Sequence, residues 1–163
     1  MAAGKKAGKT NALRMLDVRG ISYRSTEYEL SDGFTSGSDI ARMQGLDPDA
    51  VFKTLVTESG AGEHFVCVIP VDCGLDLKKA AKHFGVKKME MLPMKKLLPL
   101  TGYVHGGCSP VGMKKLFPTV FHSSVETLPT VIVSAGKIGY QVEVKPADLM
   151  GLVRAETADI IVE

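Results

Sequence analysis

Apolar and polar residues alternate through Val51-Phe52-Lys53-Thr54-Leu55-Val56 and on to residue 58, then give way to a continuous apolar, β-branched run over 65–71. Alternation predicts a half-buried strand and the continuous run a strand buried on both faces. The loop Ser59-Gly60-Ala61-Gly62 makes the two neighbours. Helical spacing appears first at Ala12, Leu13, Met15 and Leu16, with Thr10 placed to cap and Gly20 to terminate. Residues 21–30, with Tyr23, Thr26 and Tyr28, read as a strand running into a Ser-Asp-Gly turn at 31–33. Ser36 or Ser38 opens a second helix through Ile40, Ala41 and Met43 that Gly45 closes, and Asp47-Pro48 caps one further turn.

A helix starting at Leu75 or Asp76 carries Leu77, Ala80, Ala81 and Phe84 inward and ends at Gly85. A short strand at 89–92, a helical turn at 94–98 and a break at Pro99 follow. Further strands are predicted at 103–105, 119–122, 130–134 and 140–145, the last two joined by a glycine turn at 136–139. A closing helix at 146–153 and an apolar tail at 160–162 finish the chain, with no internal repeat. Many short strands that do not strictly alternate with helices disfavour a doubly wound sheet. The expected fold is α/β: a single domain whose mixed sheet is curved into a partial barrel and flanked by helices.

With 163 residues the chain is long enough for one well-buried core and short for two. Residues 1–8 read as a flexible basic tail and 9–163 as the folded domain. With 45% hydrophobic and 23% charged residues the composition is that of an ordinary globular chain. No run approaches the roughly 20 apolar residues of a membrane span, and no apolar segment follows the basic N-terminus as in a secretory signal, so a cytoplasmic protein is expected. Cys67, Cys73 and Cys108 are too few and too irregularly spaced for a disulfide framework, and neither they nor the four histidines show metal-ligand spacing.

Net charge is only +2, but its distribution is uneven. Residues 76–115 carry nine lysines against Asp76 and Glu90, whereas both flanking regions are mildly acidic. Such a local excess attracts phosphate-rich polymers through counterion release. Lys78, Lys79 and Lys82, on the outer face of the predicted helix, are candidate contacts for RNA or another phosphate-rich partner; the alternative is a simply solvated helix face.

Three segments carry candidate chemistry. Lys53 is the lone charge in the segment Val51-Phe52-Lys53-Thr54-Leu55-Val56, on the face shared with Val51 and Leu55. It either snorkels to solvent or points its ammonium into a cleft, where it would bind an anion or a carbonyl. Gly106-Gly107-Cys108-Ser109-Pro110-Val111-Gly112 specifies a rigid loop whose backbone N–H groups can approach a ligand oxygen, or else an ordinary tight turn. It matches no nucleotide-binding pattern, and Cys108 lacks the companions of a nucleophilic thiol. Ser134-Ala135-Gly136-Lys137-Ile138-Gly139 closes a hairpin that is either a plain turn or the opposite wall of the same cleft.

These segments, in this order, resemble the YbaK/EbsC family of aminoacyl-tRNA deacylases, relatives of the editing domain of bacterial prolyl-tRNA synthetase. The resemblance spans about residues 11–160. It rests on Val51-Phe52-Lys53-Thr54-Leu55, Leu75-Asp76-Leu77-Lys78-Lys79-Ala80-Ala81-Lys82, Thr101-Gly102-Tyr103-Val104-His105-Gly106-Gly107-Cys108-Ser109-Pro110-Val111-Gly112 and Val133-Ser134-Ala135-Gly136-Lys137-Ile138-Gly139. It implies cleavage of mischarged aminoacyl-tRNA, foremost cysteine on the proline tRNA, with the substrate's own thiol assisting. Another small amino acid such as alanine, or a non-catalytic module binding tRNA or a synthetase, are the alternatives.

Carried over by motif, the resemblance makes Lys53 the central residue of the cleft, with Gly106, Gly107 and Ser134 as catalytic partners. Tyr28, Ser109, Pro110, Gly136 and Gln141 are implied to contact substrate. No metal or other cofactor is implied. Aminoacyl-tRNA and prolyl-tRNA synthetase are the expected partners of a monomer that binds neither DNA nor membrane. Three positions depart from relatives: Ala135 replaces a glycine, Gln141 an acidic residue in some members, and Leu30 a histidine. They bear on the choice of amino acid, since one methylene in a pocket is worth only about 1–3 kcal/mol.

Overall fold

The computed structural model describes residues 9–28 and 45–163. The predicted helix at 36–43, the turn at 31–33, Leu30 and the tail at 1–8 lie outside them. Four helices occur among the described residues: α1 (Asn11–Val18), α2 (Leu77–Phe84), α3 (Met94–Thr101) and α4 (Pro146–Val153). Eight strands accompany them: β1 (Tyr23–Glu27), β2 (Phe52–Ser59), β3 (His64–Pro70), β4 (Met89–Met91), β5 (Thr119–His122), β6 (Val131–Ser134), β7 (Tyr140–Val144) and β8 (Glu156–Ala158). One sheet has the order β4-β2-β3-β5-β8 and is mixed, with β3, β5 and β8 parallel to one another and β2 antiparallel to both β3 and β4; the other is antiparallel, β1-β7-β6.

Period-two geometry explains how the larger sheet divides the interior. Phe52, Val56, Val66, Val68 and Phe121 face the main core, where Val131, Val133, Val142 and Val144 of the smaller sheet meet them along with α1 and α4. Phe65, Cys67, Ile69 and Val120 face the other way, onto Ala80 and Ala81 of α2. There Phe65 and Phe84 stack at 4.4 Å between ring centroids. Because both faces of β3 are covered, its sequence reads as a continuous apolar run. The two sheets fold over one core and join at a single parallel bridge, Val51 to Ile132, without closing into a barrel.

Caps follow the chemistry of the sequence. Thr10 Oγ1 accepts the Leu13 N–H at 3.2 Å to start α1, and Asp76 Oδ1 accepts from Lys78 and Lys79 N–H, both at 3.0 Å, to start α2. Gly20 and Gly85, both at positive φ, end those helices as expected.

Two expectations are corrected and one element is added. Residues 103–105 form no strand: Thr101 Oγ1 accepts the Tyr103 N–H at 3.0 Å and Gly107 N–H donates to the Val104 carbonyl at 3.0 Å, so turns satisfy groups a ladder would need. Pro99 does not break its helix, which runs on to Thr101. The N–H it lacks would have served the carbonyl of Lys95, an exposed residue whose carbonyl water can reach. β8, three residues with a mostly polar pattern, is a strand that the sequence did not announce.

Candidate active site

The bridge between Val51 and Ile132 sets the register of the site. β2 and β6 run parallel through it, so two residues further on, at the same level and on the same face, stand Lys53 and Ser134. Ser134 is paired across β6 and β7 with Gln141, and Gln141 across β7 and β1 with Thr26. One transverse row therefore crosses four strands: Lys53, Ser134, Gln141 and Thr26. Below it Val51, Ile132 and Val71 form a small apolar floor, buried to 3%, 8% and 8% exposure.

Lys53 is partly buried and makes no ion pair or hydrogen bond with a described residue. Its charge is felt by the Cys73 thiol, which burial, Asp49 and Asp72 push up and Lys53 pulls down. Gln141 is 7% exposed, so its amide is one of the few polar side chains held in a buried setting. Tyr28 extends the β1–β7 pairing past Glu27, its N–H donating to the Gly139 carbonyl at 2.8 Å, and burial raises its phenol above the ordinary value.

The hairpin between β6 and β7 and the 103–112 loop are one packed unit. A side chain at Gly107 would put its Cβ 2.9 Å from Ile138 N and 3.1 Å from the Lys137 carbonyl carbon, so only glycine permits this backbone-to-backbone approach. Gly136, at φ +100°, lies against the Tyr103 ring, with 3.0 Å from an ideal Cβ to Cε1. Tyr103 is a residue the sequence reading passed over. Its hydroxyl donates to the Val111 carbonyl, so a single buried ring ties the glycine loop to the hairpin.

The polar groups of these loops are unequally occupied. Gly107 N–H is spent on Val104, and Gly136 N–H donates to Ser134 Oγ at 3.1 Å. Gly106 N–H has no acceptor among the described residues and sits in an exposed turn at φ +89°. Ser109 is fully buried, with its Oγ accepting the Val111 N–H at 3.2 Å, and Pro110 beside it is buried too. Burial pushes the Cys108 thiol up to about 12, so it stays protonated at neutral pH. Ala135 has no positive φ; that conformation falls on Gly136, so alanine is accommodated without strain.

The structure thus brings Lys53, Ser134, Gln141, Tyr28, Gly106, Gly107 and Gly136 into one region at the seam of the two sheets. Lys78, Lys79 and Lys82 lie on α2. Lys78 and Lys82 are exposed, while the Lys79 ammonium is held by Asp159 Oδ2 at 3.1 Å, the Ile161 carbonyl at 2.9 Å and Glu163 Oε2 at 3.4 Å.

At the seam of the two sheets the described residues gather an ammonium, a hydroxyl, an amide side chain and backbone N–H groups, with Cys108 buried and Cys73 partly so; the class this defines is that of an editing domain. The sequence pattern of the aminoacyl-tRNA editing domain matches residues 32–152, and the chain belongs to that family. It is 42% identical over 160 residues, 98% of both chains, to a protein of Enterococcus faecalis provisionally named Cys-tRNA(Pro)/Cys-tRNA(Cys) deacylase EbsC. It is 25% identical over 100 residues to the proline–tRNA ligase of Trichlorobacter lovleyi, of which the match covers 17%. Among solved structures, a candidate trans-editing enzyme for prolyl tRNA synthetase superposes with a TM-score of 0.82 at 22% identity, over 94% of this chain and 96% of that one.

Proposed function

We propose that this protein is an aminoacyl-tRNA deacylase that clears mischarged tRNA, with cysteine on the proline tRNA as its first substrate. The observation that carries the reading is the alignment of Lys53 with Ser134 and Gln141 at the sheet seam, beside the glycine loop. Near-full-length similarity to the Enterococcus faecalis protein supports the substrate class.

An aminoacyl ester is already activated, so the site must chiefly hold the carbonyl and stabilise the oxyanion that develops on it. Gly106 N–H is the available backbone donor, and the Lys53 ammonium supplies positive charge at the ester or the adjoining ribose. Ser134, fixed by its bond to Gly136 N–H, can donate its hydroxyl proton to the same oxygen. For a cysteinyl ester the substrate thiol attacks its own carbonyl. A carbon–sulfur bond forms, the ester carbon–oxygen bond breaks, and the thiol proton ends on the ribose oxygen. No protein nucleophile is required. Gln141 faces the amino acid and, in place of a carboxylate, gives the pocket a neutral wall. Prolyl-tRNA synthetase is the partner in whose company the enzyme would meet its substrate, and a cytoplasmic monomer of one folded domain, residues 9–163, suits the task.

Deacylation of cysteinyl, alanyl and prolyl esters of the proline tRNA tests the reading. Rapid release of cysteine supports it. Preferential release of alanine keeps the enzyme and reassigns the pocket. No clearance above buffer, with prolyl-tRNA synthetase present or absent, overturns it.

A further inference from the structure

Five residues along β2 from Lys53, about 16 Å at the rise of a strand and on the opposite face, stands Glu58. There β2, the start of β3 and α3 enclose a groove of about 520 Å³ lined by Glu58, His64, Leu92, Lys95, Lys96 and Leu100. Its floor is apolar. Leu92 is buried, Leu100 packs on the main core, and the His64 ring stands edge-on to Phe117 at 5.8 Å. Its polar wall is Glu58, whose Oε2 takes both His64 Nε2 at 3.1 Å and Lys96 Nζ at 3.6 Å. Glu58 Oε1 has no partner among the described residues.

Lysines dominate the rim. Lys95 and Lys96 project from α3, Lys114 Nζ donates to the Pro99 carbonyl at 3.3 Å, and Lys115 Nζ lies 5.9 Å over the Phe117 ring. Glu90, opposite Glu58 in the β2–β4 register, adds a second carboxylate. An apolar slot of nucleotide size bordered by ammonium groups, with a carboxylate oxygen left to accept, suits an unstacked base and its phosphates.

We propose that this groove binds a single-stranded segment of the tRNA substrate, a base on Leu92 and Leu100 and phosphates on Lys95 and Lys96. The proposal rests on the aminoacyl-tRNA reading above and adds a contact remote from the ester. Glu58 Oε1 accepts from an exocyclic amino group, as carboxylates do from cytosine N4.

Fluorescence anisotropy with labelled, unacylated bulk tRNA over a range of salt concentrations tests it, using the whole chain. Lys95→Glu with Lys96→Glu is expected to weaken binding about tenfold or more and to flatten the logarithmic salt dependence by about 1.4 to 1.8. The melting temperature should fall by only a few degrees, since both side chains are exposed and the ion pair lost is the 3.6 Å contact of Lys96 with Glu58, and KM for Cys-tRNA deacylation should rise with kcat unchanged. Lys78→Glu with Lys82→Glu should act more weakly, and a short single-stranded RNA should displace the tRNA where a duplex of equal length does not. Unchanged affinity, slope and KM in the Lys95/Lys96 variant of an active enzyme would overturn the groove and leave the catalytic reading standing. Groove-dependent tRNA binding by a protein that cleaves no ester would do the reverse. Lost binding of prolyl-tRNA synthetase with tRNA affinity intact would make the groove a protein-docking site and overturn it as an RNA site, as would a wild type that binds no tRNA.

Discussion

Lys53 and Ser134 stand level on two parallel strands that pair through one bridge only, between Val51 and Ile132. A full ladder would have merged the two sheets along these edges. A single bridge fixes the register and leaves the strands unpaired beyond it, where a substrate can lie across their side chains.

The contact of Gly107 with the hairpin backbone predicts that Gly107→Ala lowers both stability and activity. Its Cβ would sit 2.9 Å from Ile138 N, so one of two backbones must move. The expected cost is about 1–3 kcal/mol, read by denaturant unfolding, with deacylation falling further than stability because the Gly106 N–H shifts with the loop.

Ala135 and Gly136 should respond in opposite ways. Ala135→Gly, at a position with no positive φ, loosens the unfolded chain and costs about 0.4–1 kcal/mol without raising activity. Gly136→Ala places a Cβ against the Tyr103 ring at φ +100° and should cost about 1–3 kcal/mol or more. Paired thermal melts of the two variants check the ordering.

Cys108 is held in packing. Cys108→Ala should keep deacylation within about twofold of wild type, as expected for a side chain that makes no transition-state contact. The native thiol, pushed up to about 12 by burial, should resist alkylation at neutral pH until the protein unfolds. Rapid alkylation of Cys108 with loss of activity would contradict this.

His122 carries a pH dependence of stability. Burial lowers its affinity for a proton, Asp159 partly opposes this, and Lys79 adds to the lowering. Its Nδ1 accepts the Ile160 N–H at 3.3 Å, which only the neutral ring can do. The folded pKa lies below the unfolded one, so the contribution is complete above the ordinary histidine range, about pH 6.5, and is lost as pH falls through the folded value. Melting temperatures from pH 7.5 down to 5 should decline for wild type and less steeply for His122→Asn.

Where local chemistry decides structure, the sequence was sufficient. Thr10, Asp76, Gly20 and Gly85 mark helix ends by hydrogen-bonding capacity or conformational freedom, and the unbroken apolar run of β3 announces two covered faces. What stayed hidden depends on contacts distant in sequence. The Val51–Ile132 bridge joins residues 81 apart, and nothing in either strand says which row will face Lys53. Tyr103 looked like one residue of a strand, and only the fold reveals it as the tie between loop and hairpin. Lys79 looked as free as Lys78 until the C-terminal carboxylates of Asp159 and Glu163 came round to it.

The most direct test of the central claim is single-turnover release of cysteine from Cys-tRNA of the proline isoacceptor by wild type and by Lys53→Ala, with tRNA affinity measured on both. The account predicts that the variant binds tRNA within about threefold of wild type yet releases cysteine at least about 100-fold more slowly, the scale set by loss of one preorganised transition-state contact. A Lys53→Ala protein that clears cysteine at the wild-type rate would contradict it.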